Sequence, residues 1–335
     1  MNECRSGGLD DLAISVDRVQ QYVIAWWATT YLPWFTDHGP EHSKRVAKYA
    51  LDIAAIPSLS EQHKLTTLEK FILWSSAWLH DLGMQSLLGN ALGPLDSAVY
   101  DQIRHEHPDQ SCTEILTHGE AIGLPSGDIP LIQCIAYVAR AHGTKHYTSS
   151  VESLQTCTHV RNEPVRAPLL ASILLLADEL DLHYQRARPP AAHANLNYVS
   201  QAHALKHKCV ISCEVEHRPG GVVSFSLRTQ RFPDIPSIVA DEIDQWITEK
   251  LRRQIALVEK DFAEGFAGTA SLSRSIRLTH TTAHIPVGMV SPETISIIRD
   301  DNAQDDLINH RGALSDLLRG GRQPGTFADH RNASE

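Results

Sequence analysis

Hydrophobic positions recur with a helical period through roughly the first 190 residues, and then the period changes to two. Residues 16–35 place Val19, Tyr22, Val23, Trp26, Trp27 and Tyr31 on helical spacing, with Pro33 as the break. Pro40 suits the first turn of a second helix, whose stripe is Val46, Ala47, Ala50, Ile53 and Ala54. A third helix has Thr66 or Thr67 as its N-cap and Glu69 in its first turn. It runs through FILWSSAWL and stops at Gly83. Helical patterning continues over 93–124 and 128–143, the polar stretch 144–166 reads as a loop, and 167–187 is apolar almost all round, as in a buried helix.

Beyond residue 200 the residues His207, Cys209, Ile211, Cys213 and Val215 alternate with more polar positions, RPGG makes a turn, and VVSFSL alternates again. This is a β-hairpin. A long helix follows, with Ile243, Trp246, Ile247, Leu251, Ile255 and Val258 on one face. The segment IRLTHTTAHIPV reads as extended and NAQDDLINHRGALSDLLRG as a helix. The expected fold is mainly α, an all-helical bundle over 1–200. The hairpin and long helix of 201–264 pack on it, 265–318 form a small C-terminal helical extension, and 319–335 are a disordered polar tail. No internal repeat is present.

Composition narrows the function. The chain has 335 residues, 42% hydrophobic, with a net charge of −10. Such an acidic chain lacks the basic footprint of a binder of long nucleic acid. The six cysteines form no CxxC pair, no signal-peptide h-region opens the chain, and no apolar run is long enough to span a membrane. These features predict a cytoplasmic protein with no membrane partner, and leave a homo-oligomer open. The tryptophans Trp26, Trp27, Trp34, Trp74 and Trp78 read as core. So do Cys209 and Cys213, since buried cysteine behaves as a small hydrophobe.

Nineteen histidines against seven phenylalanines direct attention to metal or acid–base chemistry. His42, the doublet His80-Asp81, His107, His142 and Asp178 each lie at an end or in an apolar face of a helical segment. An aspartate inside LLLADELD is costly without a cation. A mixed His/carboxylate set suits a divalent ion, and a pair of ions can clamp a phosphate for in-line attack by water. Asp81 is placed to bridge such a pair. His38 is expected beside the site or facing substrate, and His105 facing solvent. Arg45, Arg104, Lys145, Arg186 and Arg188 are candidate phosphate contacts, with Lys145 and Arg186 favoured because both follow ligand-bearing helix ends.

His42 in HSKRV, His80 and Asp81 in WLHDLGM, and Asp178 in LLLADELD, in that order, resemble the HD superfamily of metal-dependent phosphohydrolases over roughly residues 20–190. The resemblance implies a metal set of His42, His80, Asp81 and Asp178, with His107 and His142 completing a second site as in two-metal members. It implies divalent ions, two in number, as cofactors: Mn2+, Fe2+ or Mg2+, with Zn2+ or Ni2+ also compatible. It implies a nucleotide substrate, held by Arg45, Lys145 and Arg186, with Asp81, His107 and Lys145 in catalytic roles. The complete set favours a phosphodiesterase-type enzyme acting on a cyclic nucleotide or dinucleotide. The alternatives are a deoxynucleoside triphosphate triphosphohydrolase, in which His107 is the acid–base group, an HD nuclease, and a non-catalytic nucleotide sensor. The chain departs from the HD-GYP phosphodiesterases: it has no GYP signature, and Met84 stands where that group has Lys. Its later part is similar to stand-alone or ATPase-linked bacterial HD proteins.

Overall fold

Apolar stripes at helical spacing become helices that bury those stripes against one another. The computed structural model describes residues 10–28, 35–86, 97–187 and 198–286. Helix α1 (Asp10–Ala28) leads to α2 (Pro40–Ala54), which has Pro40 in its first turn. Helix α3 (Thr67–Leu79) opens with a capping box between Thr66 and Glu69. The short α4 (Gly83–Ser86), α5 (Ser97–Ile122) and α6 (Ile129–Arg140) follow. Then come α7 (Thr144–Thr156), the two-residue strands β1 (His159–Val160) and β2 (Glu163–Pro164), and α8 (Ala167–Leu180).

Helix α8 is buried on nearly every side, with Leu170, Ile173, Leu174 and Leu175 at zero exposure. It packs against α2, α3, α6, α7 and, later in the chain, α10. Each such leucine contributes roughly 1.5–3 kcal/mol. The element that carries Asp178 is therefore among the most firmly held. The expected stripe of α2 is buried as well, and Trp74 and Trp78 lie in the core, while Trp26 and Trp27 are half-buried at its edge.

The β portion follows α9 (Tyr198–Lys208). Strands β3 (Val210–Arg218) and β4 (Val222–Arg231) form the antiparallel hairpin, then α10 (Ser237–Gly265) crosses over, and β5 (Ser271–Thr282) returns parallel to β4. Parallel neighbours need such a crossover, and α10 supplies it. The six apolar positions expected on the α10 face are all buried. Among the described residues no helix is long and apolar enough to cross a membrane.

Three expectations are corrected. The polar stretch after residue 143 is helical as α7, because His146, Tyr147, Ser150 and Leu154 recur at helical spacing and are buried, a face too narrow to show as an apolar stripe. His207 belongs to α9, not to a strand. A bulge between Val210 and Ser212 then breaks the alternation, so Val210 is fully buried while Ile211 is only half so. Cys209 and Cys213 are buried. The break at Pro33, Trp34, Arg188, the helix expected near 302–320 and the tail lie outside the described residues.

Candidate metal centre

Three helix ends and one proline place four imidazoles around one point. His80 is the C-cap residue of α3, and its Nδ1 donates to the Ala77 carbonyl at 2.8 Å. His142 follows the end of α6 and donates from Nδ1 to the Ala139 carbonyl at 2.7 Å. Both use carbonyls in the last turn of a helix, where the four-residue ladder ends. His107 uses another device. Pro108 has no N–H to give the Arg104 carbonyl four residues back. His107 Nδ1 takes that carbonyl instead, at 2.9 Å. His42, in the first turn of α2, donates from Nδ1 to Asp181 Oδ2 at 2.7 Å. With every Nδ1 committed as a donor, the four Nε2 lone pairs are free to point inward.

They meet in two groups of three. His42, His80 and Asp178 form one, and Asp81, His107 and His142 the other. The Nε2 atoms of His42 and His80 are 3.1 Å apart, and those of His107 and His142 are 2.9 Å apart. Asp178 Oδ1 lies 3.3 Å from His42 Nε2 and 3.7 Å from His80 Nε2. The Asp81 carboxylate joins the groups. Its Oδ2 is 3.2 Å from both His42 and His80, and its Oδ1 is 3.5 Å from His107 and 3.7 Å from His142.

This arrangement fits divalent ions. Lone pairs facing each other at about 3 Å repel unless a cation or a proton lies between them. Asp81 Oδ2 is buried and makes no hydrogen bond despite its close histidines. The nitrogen and oxygen donors suit Mn2+, Fe2+ or Zn2+.

The titration of these groups divides along the same line. Burial works against charge on His42 and His80, but the carboxylates Asp81 and Asp178, with Asp181 for His42, raise His42 to about 9 and His80 to about 10. Burial, then His80 and His107, lowers His142 to about 3, and burial lowers His107 too. Burial also pushes Asp81 and Asp178 up, yet the imidazoles of His80 and His42 outweigh it and hold both well below the carboxylate range.

The centre opens into a cavity of about 250 Å3 that exposes Asp81, His107, His142 and Asp178. Lys145, in the first turn of α7, lines it and is exposed. The α7 N-terminus, which no side chain caps, faces the same space through Gly143 and Thr144. His38 lines the cavity beside His42, their rings 5.6 Å apart. His105 is exposed at the rim and Arg104 lies in the wall.

Two residues expected to contact substrate are engaged by the scaffold, and one of them lies outside the cavity. Arg45 does not line the cavity; its Nε donates to Asp181 Oδ1 at 2.7 Å, so it holds the carboxylate that orients His42. Arg186 reaches the cavity wall, but it is buried and its nitrogens donate to the backbone carbonyls of Asp37, at 2.8 Å, and Asp181, at 3.0 Å. It ties the start of α2 to the end of α8.

Sequence reasoning missed Asp181 and Ser111. Asp181 is fully buried, and it stays ionised: burial opposes its charge, while His42, Arg186 and Arg45 hold it down at about 2. Its signal was available, since a second carboxylate three residues after Asp178 also needed a cation. Ser111 donates from Oγ to the His80 carbonyl at 2.5 Å and accepts from Gly83 N–H at 2.8 Å, fixing the turn of the doublet onto α5. No spacing rule marks such a serine.

The model of one protein family, HD-CE, matches residues 32–256, more than half of the chain. No curated protein and no solved structure matches it.

Proposed function

The chain belongs to the HD-CE family, and from that premise we propose that it is a two-metal phosphohydrolase that cleaves a phosphodiester in a cyclic nucleotide or dinucleotide. The observation that carries the reading is the Asp81 carboxylate, with one oxygen toward each triad. His42, His80 and Asp178 would hold one ion, His107 and His142 the other, and Asp81 both. Divalent ions there supply the charge that clamps phosphoryl oxygens and acidifies water.

The chain's own groups do the rest. Lys145 and the amides at the start of α7 face the cavity next to His142, where they can neutralise charge developing on a phosphate. Asp181 and the carbonyls of Ala77, Ala139 and Arg104 keep the four imidazoles from turning. The 2.9 Å approach of His107 Nε2 to His142 Nε2 supports a ligand role for His107 over the acid–base role of a triphosphohydrolase.

The test is product analysis. Mn2+-loaded protein is offered cyclic mono- and dinucleotides, deoxynucleoside triphosphates and linear nucleotides, beside Asp81→Ala and His80→Ala. A linear nucleotide from a cyclic one, lost in both variants together with bound metal, is expected. Free triphosphate would replace the reading by triphosphohydrolase. No product from protein carrying two ions would replace it by a nucleotide sensor.

A further inference from the structure

Helix α7 brings to the cavity a histidine that neither triad uses. His146 stands in the first turn of α7 and lines the cavity, with a side chain only 10% exposed. Its Nε2 lies 3.3 Å from Asp109 Oδ2. The other oxygen of that carboxylate accepts from Arg140 Nε at 2.5 Å, and Arg140 reaches on to Ser150 Oγ at 3.5 Å. Groups from α6 and α7 therefore hold the Asp109 carboxylate of α5, and the carboxylate holds the ring.

The carboxylate also decides the tautomer. An arginine-paired carboxylate only accepts, so the imidazole proton facing it sits on Nε2 and Nδ1 keeps a lone pair. Burial, against the pull of Asp109, holds the ring below the ordinary imidazole value and so neutral. Among the described residues nothing hydrogen-bonds to Nδ1. Gly143 leaves that nitrogen uncovered, since a Cβ there would stand 3.3 Å from it. The backbone of Gly143, at φ −93° and ψ 142°, is one that any residue adopts. What the glycine supplies is therefore the open side of Nδ1.

An acceptor in a fixed tautomer selects a ligand that donates. Lys145 and the amides at the start of α7 face the phosphate in the reading above, and His146 stands within the same turn, a rise of about 5 Å. At that reach from a phosphate a nucleotide offers its sugar hydroxyls, while the N–H groups of its base lie farther off. A 3′-linked phosphate has the 2′-hydroxyl on the neighbouring carbon. We propose that His146 Nδ1 accepts a hydrogen bond from the 2′-hydroxyl of the sugar that carries the phosphate, and so selects ribonucleotides over deoxyribonucleotides. A deoxy analogue leaves the acceptor unpaired, which is how such a site rejects it. This rests on the phosphohydrolase reading of the same cavity and narrows its substrate. Cyclic mononucleotides and dinucleotides both present this hydroxyl, and the product analysis above tells them apart.

The test is calorimetric binding to the full chain, Mn2+-loaded and metal-free, with metal content measured and chromatography confirming intact probe. The probes are adenosine and guanosine 3′-monophosphates, with their 2′-deoxy and 2′-fluoro counterparts. Fluorine keeps the ribose pucker but cannot donate. Loaded wild type is expected to bind the ribonucleotide of at least one base about tenfold tighter than its deoxy and fluoro analogues, the worth of one hydrogen bond. His146→Phe should bring the ribonucleotide to the deoxy affinity while keeping both ions. Gly143→Ala, which keeps the histidine and sets a methyl against Nδ1, should weaken the ribonucleotide alone. Where His146→Phe has lost metal, Gly143→Ala decides. Equal affinity across the three sugars, a fluoro analogue that matches ribose, or a preference that survives the deciding variant overturns the assignment. Binding to the loaded chain no tighter than to the metal-free chain would instead overturn the phosphohydrolase reading, so the two failures are distinguishable.

Discussion

At the scale of single residues, the centre depends on where four protons sit. Asp181 accepts from His42 Nδ1 at 2.7 Å and is itself held by Arg45. Asp181→Asn keeps the shape but offers the imidazole a weaker acceptor. Metal affinity at the His42 triad should fall 10–100-fold, as for other outer partners of ligand histidines, with one ion per chain retained. Metal counting after dialysis checks this; two tightly held ions in the variant would show that Asp181 does not orient the ligand. The raised values of His42 and His80, about 9 and about 10, make a pH prediction. In metal-free protein this pair therefore holds on to protons at neutral pH, and a binding ion must displace them. Metal uptake at pH 7.5 should release protons, and affinity should rise with pH until about 9–10. The same raised values add stability to the metal-free fold that is complete below the unfolded imidazole value of about 6.5. That stability is lost as pH rises through 9–10. Added Mn2+ should therefore raise the melting temperature more at pH 9 than at pH 7. Equal shifts, with no proton release in buffers of differing ionisation enthalpy, would show that these rings are neutral before the metal arrives.

At the scale of elements, the distance between the triads is set by how closely α5 approaches the turn after α3. Gly83 is the contact point. A methyl group there would lie 2.1 Å from the His107 carbonyl and 2.6 Å from Ser111 N, both backbone atoms that cannot swing aside. Gly83→Ala should push α5 outward, moving His107 but not His42 or Asp178, so the second ion should be lost in preference to the first. Ser111→Ala removes both hydrogen bonds across the same junction and leaves the His80 carbonyl buried without them. About 1–3 kcal/mol of stability should go, read from urea unfolding. These contacts also show what was legible in the chain. Periodicity placed α2, α3, α6, α8 and α10, because each buries a stripe wide enough to stand out, and the spaced His and Asp residues marked all six members of the two triads. Gly83 read as a helix stop because its close approach to α5 is a tertiary fact. Helix α7 was hidden because its buried face carries His146 and Ser150. The bulge at Ile211 was hidden because a single extra residue leaves composition unchanged while turning every side chain before it to the other face. Arg45 was misplaced for a related reason: a cation near a ligand can serve the substrate or the scaffold, and only the partner decides.

At the scale of the whole molecule, the later elements are joined to the helical bundle at the cavity itself. Glu179, next to Asp178 on α8, is 6% exposed and pairs with Lys250 of α10 at 2.8 Å. Gln254, one turn further along α10, lies 3.4 Å from the same carboxylate. Helix α10 also carries β5 back to the sheet and packs along α8. This pair therefore couples the β portion to the element that bears Asp178. Removing one partner is the informative experiment. Lys250→Met leaves a buried carboxylate unpaired beside Asp178, and should cost about 3 kcal/mol. Glu179→Gln in the same chain removes the stranded charge and should recover most of the stability. A double-mutant cycle by chemical unfolding, repeated with and without Mn2+, measures the coupling. If the ion restores Asp178 to its place, the penalty of Lys250→Met shrinks in the metal-loaded protein, because a divalent charge next to Asp178 also stabilises its neighbour. A penalty near zero in the single variant, or one that Glu179→Gln does not relieve, would mean that the two parts are held by the apolar face of α10 alone, and that the cavity wall it contributes is not electrostatically linked to the metal centre.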